Sequence, residues 1–142
     1  MGAVPSAERI TFEELQRLQS ASDALIISTL PVAEQQCLIS RTLLPAVEER
    51  TLNDCLKRGE NARSIVVYGR NTTDMSVEKK HKQLSGLGFS QVRLYLGGLF
   101  EWALLQDIYG AKLFPTTSVC TDPLRFKGTP CSQLMLTAQA RS

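Results

Sequence analysis

The sequence predicts a three-layer α/β domain with a mostly parallel sheet of about five strands and helices on both faces. Two observations carry this. The short, unbroken apolar run Ala24-Leu25-Ile26-Ile27 reads as a strand covered on both faces, the uninterrupted β-branched run Ser64-Ile65-Val66-Val67-Tyr68 as the clearest strand, and Val92-Arg93-Leu94-Tyr95 as the next. Between them lie segments of helical periodicity joined by short connections, the alternation that builds a parallel sheet. The 142 residues suffice for one core, and 43% hydrophobic with 21% charged residues is a globular composition, not that of a disordered chain.

The first helix is announced by Ile10-Thr11-Phe12-Glu13-Glu14-Leu15. Thr11 and Glu14 are spaced as a capping box, and Ile10 can pack on Leu15 as a hydrophobic staple, so a helix from about Phe12 to Gln19 is expected. After the strand at 24–27, Pro31 opens an irregular or short helical stretch. Arg41-Thr42-Leu43-Leu44 reads as a weak strand, and Pro45 at a first helical turn leads into a helix to Lys57, stopped by Gly59. Its buried stripe is expected from Val47, Leu52, Cys55 and Leu56.

The run at 64–68 is the strongest strand signal and belongs at the centre of the sheet. Met75 to about Ser85 reads as a helix ended by Gly86-Leu87-Gly88-Phe89. Val92–Tyr95 follows, and Gly97-Gly98 turns the chain into a last helix with Leu99, Phe100, Trp102, Ala103, Leu104 and Ile108, ending near Gly110. The spacing of Leu99, Phe100 and Trp102 favours core over a ligand cluster. From Thr116 the composition shifts to Thr, Ser, Pro and Gly, with only Leu134-Met135-Leu136 apolar. The expected organisation is therefore a folded unit over 8–115 and a flexible tail over 116–142.

A formal net charge of +2 gives no nucleic-acid footprint. No apolar run reaches the roughly 20 residues of a membrane span, and no secretory signal opens the chain, so a soluble, cytoplasmic protein without membrane insertion is expected. Met1-Gly2-Ala3-Val4-Pro5-Ser6 fits the pattern for N-myristoylation at Gly2, which by itself gives only weak membrane contact. Cys37, Cys55, Cys120 and Cys131 are scattered and His81 is the only histidine, a pattern that favours reduced thiols over zinc or a disulfide framework. No metal and no cofactor is expected, and no G-x-G-x-x-G or Walker pattern accompanies Gly97-Gly98. Lys79, Lys80, His81 and Lys82 read as a solvated helix face.

In parallel α/β sheets, ligands sit beyond the carboxyl ends of the strands. The loop after the central strand, Gly69-Arg70-Asn71-Thr72-Thr73-Asp74, is therefore the candidate site. Asp74, directly before the helix, is of a favoured N-cap type and can accept the first-turn amides that an open loop would offer to an anion.

The order strand, loop, helix, Gly-Phe turn, strand and Gly-Gly, carried by Ser64 to Arg70, Leu87 to Val92 and Gly97-Gly98 before Trp102, resembles the rhodanese family. The likeness in element order runs from Ile10 to Gly110, and its specific part from Ile65 to Trp102. The resemblance implies a rhodanese-like domain in which Gly69 stands where the family's nucleophilic cysteine carries a persulfide. Asp74 stands where several active relatives have an arginine. Upstream, Ile27-Ser28-Thr29 replaces a common aspartate and arginine, and Cys37-Leu38-Ile39-Ser40-Arg41 replaces His-Ile-Pro-Gly-Ala. Glycine cannot act as a nucleophile, and a carboxylate repels an anionic sulfur donor.

The expectation is thus a catalytically inactive domain with no catalytic residue and a vestigial loop over Gly69–Asp74, acting on an unidentified protein partner as an interaction or regulatory module. The alternatives are a divergent sulfurtransferase or phosphatase-like enzyme using another cysteine, and an anion-binding sensor in which Arg70 and the amides of Asn71 to Thr73 are donors and Asp74 turns outward.

Overall fold

The computed structural model describes residues 8–21, 24–35 and 37–118. Along them run β1 (Glu8–Arg9), α1 (Phe12–Ala21), β2 (Leu25–Ser28), a 3-10 turn (Val32–Glu34), α2 (Pro45–Lys57), β3 (Ile65–Tyr68), α3 (Ser76–Leu87), β4 (Val92–Tyr95) and α4 (Gly98–Tyr109). The four strands form one parallel sheet in the order β1-β4-β3-β2. Ile65 to Tyr68 are fully buried, as their unbroken apolar run requires of the central strand.

Alternation along the strands divides the core into two layers. Ile26, Val66, Tyr68 and Tyr95 pack with Leu15 of α1 and Leu99 and Trp102 of α4. Leu25, Ile27, Ile65, Val67, Val92 and Leu94 pack with Leu52 and Cys55 of α2 and Val77 and Leu84 of α3. Each fully buried aliphatic side chain is worth about 1.5–3 kcal/mol of transfer free energy, so both helical layers are held mainly by this double-sided sheet.

The local signals act as read. Glu14 N donates to Thr11 Oγ1 and Thr11 N donates to Glu14 Oε1, both at 3.3 Å, and Ile10 joins the core cluster of Leu15. Pro45 opens α2, of whose expected stripe Leu52 and Cys55 are buried and Val47 and Leu56 half-buried. Leu99 and Trp102 are core, whereas Ile108 stands 68% exposed.

Three expectations are corrected. The sheet has four strands, not about five, because Arg41–Leu44 is reduced to a single bridge of Thr42 to Ile26, with Leu43 N donating to Ile26 O at 2.8 Å. Arg41 turns the chain with a φ of 74°, and Pro45 begins α2, so only two residues lie along the sheet edge. The opposite edge is instead β1, two exposed charged residues that carry no apolar signal. It is held by the register of Glu8 with Arg93 and Arg9 with Leu94, by Ile10 N donating to Leu94 O, and by a Glu8–Arg93 ion pair at 3.5 Å. A short charged edge also discourages further strand addition. Finally, Lys80 is not simply solvated: its ammonium meets Glu48 of α2 at 2.6 Å with both side chains mostly buried.

Composition assigns Thr116 to Ser118 to the tail, yet these residues lie against the loop before α2. Ser40 N donates to Pro115 O, Thr116 bridges antiparallel to Ile39, and Thr117 N donates to Leu38 O at 2.7 Å. Trp102 Nε1 donates to Pro115 O at 3.0 Å. Backbone pairing, the Trp102 indole and hydrogen bonds to the Thr116 and Thr117 hydroxyls hold this segment, which is why hydrophobic periodicity gave no sign of it. Gly2 and the tail beyond Ser118, with Cys120 and Cys131, lie outside the described residues.

Candidate functional site

The loop Gly69–Asp74 leaves the carboxyl end of β3, and the start of α4 fixes it from one side. Leu99 N donates to Gly69 O at 3.0 Å and Phe100 N to Arg70 O at 2.9 Å, so two of the amides left free at a helix N-terminus are used on loop carbonyls. This close approach depends on Gly98, whose φ is 66° and where a Cβ would lie 2.6 Å from Gly69 O.

On its other side the loop is closed by its own side chains. Asp74 turns inward: Arg70 N donates to Oδ2 at 2.9 Å, Ser76 N to Oδ1 at 3.0 Å and Ser76 Oγ to Oδ1 at 2.5 Å. Asp74 thus binds the first-turn amide as read, although the helix proper starts at Ser76 with Met75 at its boundary. Asn71, 7% exposed, accepts from Thr73 N at 2.9 Å and Thr73 Oγ1 at 2.6 Å, and Asp74 N donates to Asn71 O at 3.2 Å. The Arg70 guanidinium pairs with Glu34 of the 3-10 turn. Ser76 Oγ is also 2.7 Å from Thr29 Oγ1, which ties α3 to the end of β2.

The electrostatics follow from these contacts. Burial works against the charged form of Asp74, but the Ser76 hydroxyl, the Arg70 and Ser76 amides and the Arg70 charge outweigh it and hold the carboxyl below its ordinary value. Asp74 is therefore a carboxylate at neutral pH. A Cβ placed on Gly69 would lie 2.6 Å from Asp74 Oδ2 and 2.6 Å from Val77 Cγ2. The space a nucleophilic side chain needs is filled by a negative charge. An open anion site requires Asp74 turned outward, which is the opposite of what is found.

Beneath the loop, Tyr68 forms a buried polar node. Its hydroxyl accepts from Ile39 N at 3.1 Å and lies 2.7 Å from Thr42 Oγ1, fastening the 38–42 turn to the central strand. Burial pushes the Tyr68 phenol up to about 12, against the opposing hydrogen bonds of Thr42, Ile39 and Ser28. Beside it in register, Tyr95 donates to Glu101 Oε1 at 2.6 Å, and its phenol is also raised, first by burial and then by the Glu101 carboxylate.

Sequence reading named this loop as the candidate and Asp74 as an acceptor of first-turn amides, which the Ser76 N to Asp74 Oδ1 bond shows, but missed Glu34, Thr29 and Tyr68. Glu34 and Thr29 lie 36 and 47 residues from their partners Arg70 and Ser76, with no local pattern to announce them. Cys55 is a buried thiol in the α2 layer. Cys37 is disulfide-bonded, which overturns the reading of reduced thiols for this residue. Among the described residues no cluster of three or more His, Cys, Asp or Glu is arranged to hold a metal ion, and no helix is long and apolar enough to cross a membrane.

The fold so assembled is rhodanese-like. The solution structure of the rhodanese-like domain of the Alr3790 protein from Anabaena sp. superposes with a TM-score of 0.55 at 20% identity, covering 87% of this chain and 85% of that one. A crystal structure of the Alr3790 protein gives 0.52 at 18% identity over 94% of both chains. A full-length protein from Lactobacillus plantarum gives 0.57 at 16% identity, covering 78% of this chain and 87% of that one. No family model and no curated protein matches the sequence.

Proposed function

We propose that residues 8–115 form a catalytically silent rhodanese-like domain, followed by a tail over 116–142, and that it serves in the cytoplasm as a protein-interaction or regulatory module. The observation that carries this reading is the Asp74 carboxylate, which takes up the Arg70 and Ser76 amides and stands 2.6 Å from the position of a Cβ on Gly69. Covalent sulfur or phosphoryl transfer needs a nucleophile and a positive cradle for the anion. At Gly69–Asp74 the first is missing and the second is occupied from within.

The test rebuilds the site. Gly69→Cys and the double variant Gly69→Cys with Asp74→Arg are exposed to thiosulfate, and persulfide is read as the mass of one added sulfur. In the single variant the new thiol lies against a carboxylate, which raises its pKa by about a unit or more and keeps it protonated near neutrality. The double variant removes that charge and supplies a cation, so it loads and the single variant does not. Val77 crowds both equally. Loading of the single variant to the level of the double would overturn the role given to Asp74, and sulfurtransferase turnover by the unaltered chain would overturn the silent reading.

A further inference from the structure

We propose that the outward face of α4 is the contact surface of a symmetric dimer of this chain. A helix of about 3.6 residues per turn sorts α4 into two faces. Leu99, Trp102 and Ala103 are buried, while Phe100, Leu104 and Ile108 follow one another at i+4 spacing on the other side. Phe100 and Leu104 are half-buried and Ile108 is 68% exposed; Tyr109 at 61% and Leu113 at 55% carry the apolar surface past the helix end. A helix apolar on both faces is one that is covered on both. The only charged residues of α4 are Glu101 and Asp107, and Glu101 accepts the Tyr95 hydroxyl.

The frame of this surface is fixed before anything binds. Tyr109 lies against Phe114 with ring centroids 6.1 Å apart, Phe114 meets the buried Trp102 edge-on at 5.0 Å, and Gln16 Nε2 donates to Leu113 O at 2.7 Å. The rim then selects the occupant. Asp107 and Lys112 flank Ile108 and Tyr109 in the chain, both are exposed, and neither forms an ion pair among the described residues. One acid and one base on the same patch are complementary to themselves. In a two-fold contact each residue meets the other copy reciprocally, so Asp107 faces the partner's Lys112 and Lys112 the partner's Asp107. The apolar ridge fits the same symmetry: i+4 ridges of two helices interdigitate at a crossing of about 50°, a packing that uses the same ridge on both.

The size of the patch sets the affinity. Three apolar side chains more than half exposed make a surface of about a few hundred Å², the size that often marks a functional patch on a monomer. A standard interface takes about 800 Å² from each partner. The polar rim therefore supplies the remainder, and the dimer is weak, with a dissociation constant in the micromolar range. The Gly69–Asp74 loop meets the first turn of α4 through Leu99 N and Phe100 N, whereas Ile108 lies in its last. Association is thus independent of whether that loop is catalytically silent.

The full chain is followed by sedimentation velocity from low micromolar to millimolar concentration, with reductant present so that no disulfide links two copies. It passes from monomer to dimer. Ile108→Asp sets a carboxylate in the centre of the contact and weakens association by about tenfold or more, while its urea midpoint at monomer concentrations stays that of the unaltered chain. Met75, 70% exposed at the start of α3 in the layer on the other side of the sheet, is the control, and Met75→Asp leaves association as it was. Lys112→Glu opposes like charges twice and weakens the dimer severalfold; Lys112→Glu combined with Asp107→Lys reverses both pairs and restores it. A full chain that stays monomeric to millimolar concentration would overturn the proposal and give the face to a different occupant. So would a dimer that Ile108→Asp leaves intact, or a double charge reversal that does not restore association.

Discussion

Replacing Gly98 by alanine separates steric contact from backbone strain at the candidate site. Gly98 holds a φ of 66° and a Cβ there would stand 2.6 Å from Gly69 O and 3.0 Å from the Asn71 nitrogen, both backbone atoms that no rotamer change can move. Left-handed strain alone costs about 1 kcal/mol. Relief of the clash requires α4 and the loop to part, which breaks the bonds from Leu99 N to Gly69 O and from Phe100 N to Arg70 O at about 1 kcal/mol each. The expected loss is about 3 kcal/mol, a large share of a stability of about 5–15 kcal/mol. Two other glycines calibrate it in urea unfolding. Gly59 has a φ of 74° but nothing within 4 Å of its Cβ position, so Gly59→Ala loses only the strain, about 1 kcal/mol. Gly86 lies within α3 with open space around it, and Gly86→Ala gains about 0.5–1 kcal/mol of helix propensity. A Gly98→Ala loss no greater than that of Gly59→Ala would refute the claim that α4 and the loop are in obligatory contact.

Other outcomes follow from the same geometry. Arg41, exposed with a φ of 74°, is a strained position, so Arg41→Gly raises the urea midpoint by about 1 kcal/mol of stability without changing the slope. Tyr68→Phe leaves the Ile39 amide buried without its acceptor and costs about 1–3 kcal/mol at neutral pH. Because the Tyr68 phenol is raised to about 12 in the folded state, its contribution is intact below pH 10. It is lost as pH rises from 10 towards 12, at about 1.4 kcal/mol per unit. Unfolding free energies at pH 9 and pH 11 should therefore differ by more in the unaltered chain than in Tyr68→Phe. Asp74 has the opposite sign: its lowered carboxyl contributes stability above the ordinary carboxylate pKa that disappears as pH falls through the folded value. Asp74→Asn should accordingly flatten the acid limb of an unfolding titration.

The class of fold could be read from the sequence because its signals are local. An apolar run such as Ile65–Tyr68 has to be covered on both faces, Thr11 and Glu14 cap one another within a single turn, and Pro45 and Gly110 bracket helices by their own backbone limits. The loop Gly69–Asp74 could be singled out as a candidate for the same reason, since it lies between the strongest strand and a helix start, and Gly69 itself brings no side chain to it. Tertiary structure decided what local signals do not contain. Glu8–Arg9 became a strand only because β4 offered unpaired backbone, and Arg41–Leu44 fell short of one because a left-handed turn and a proline confine it. Whether Asp74 faced the loop or the solvent, and that Arg70 would be taken by Glu34, rested on contacts made only after folding. So did the approach of Cys37 to Ser118, 81 residues further along the chain. Charged and hydrogen-bonding groups choose partners by distance in space, whereas hydrophobic periodicity is written along the chain, and this is why the core could be read in advance and the closed site could not.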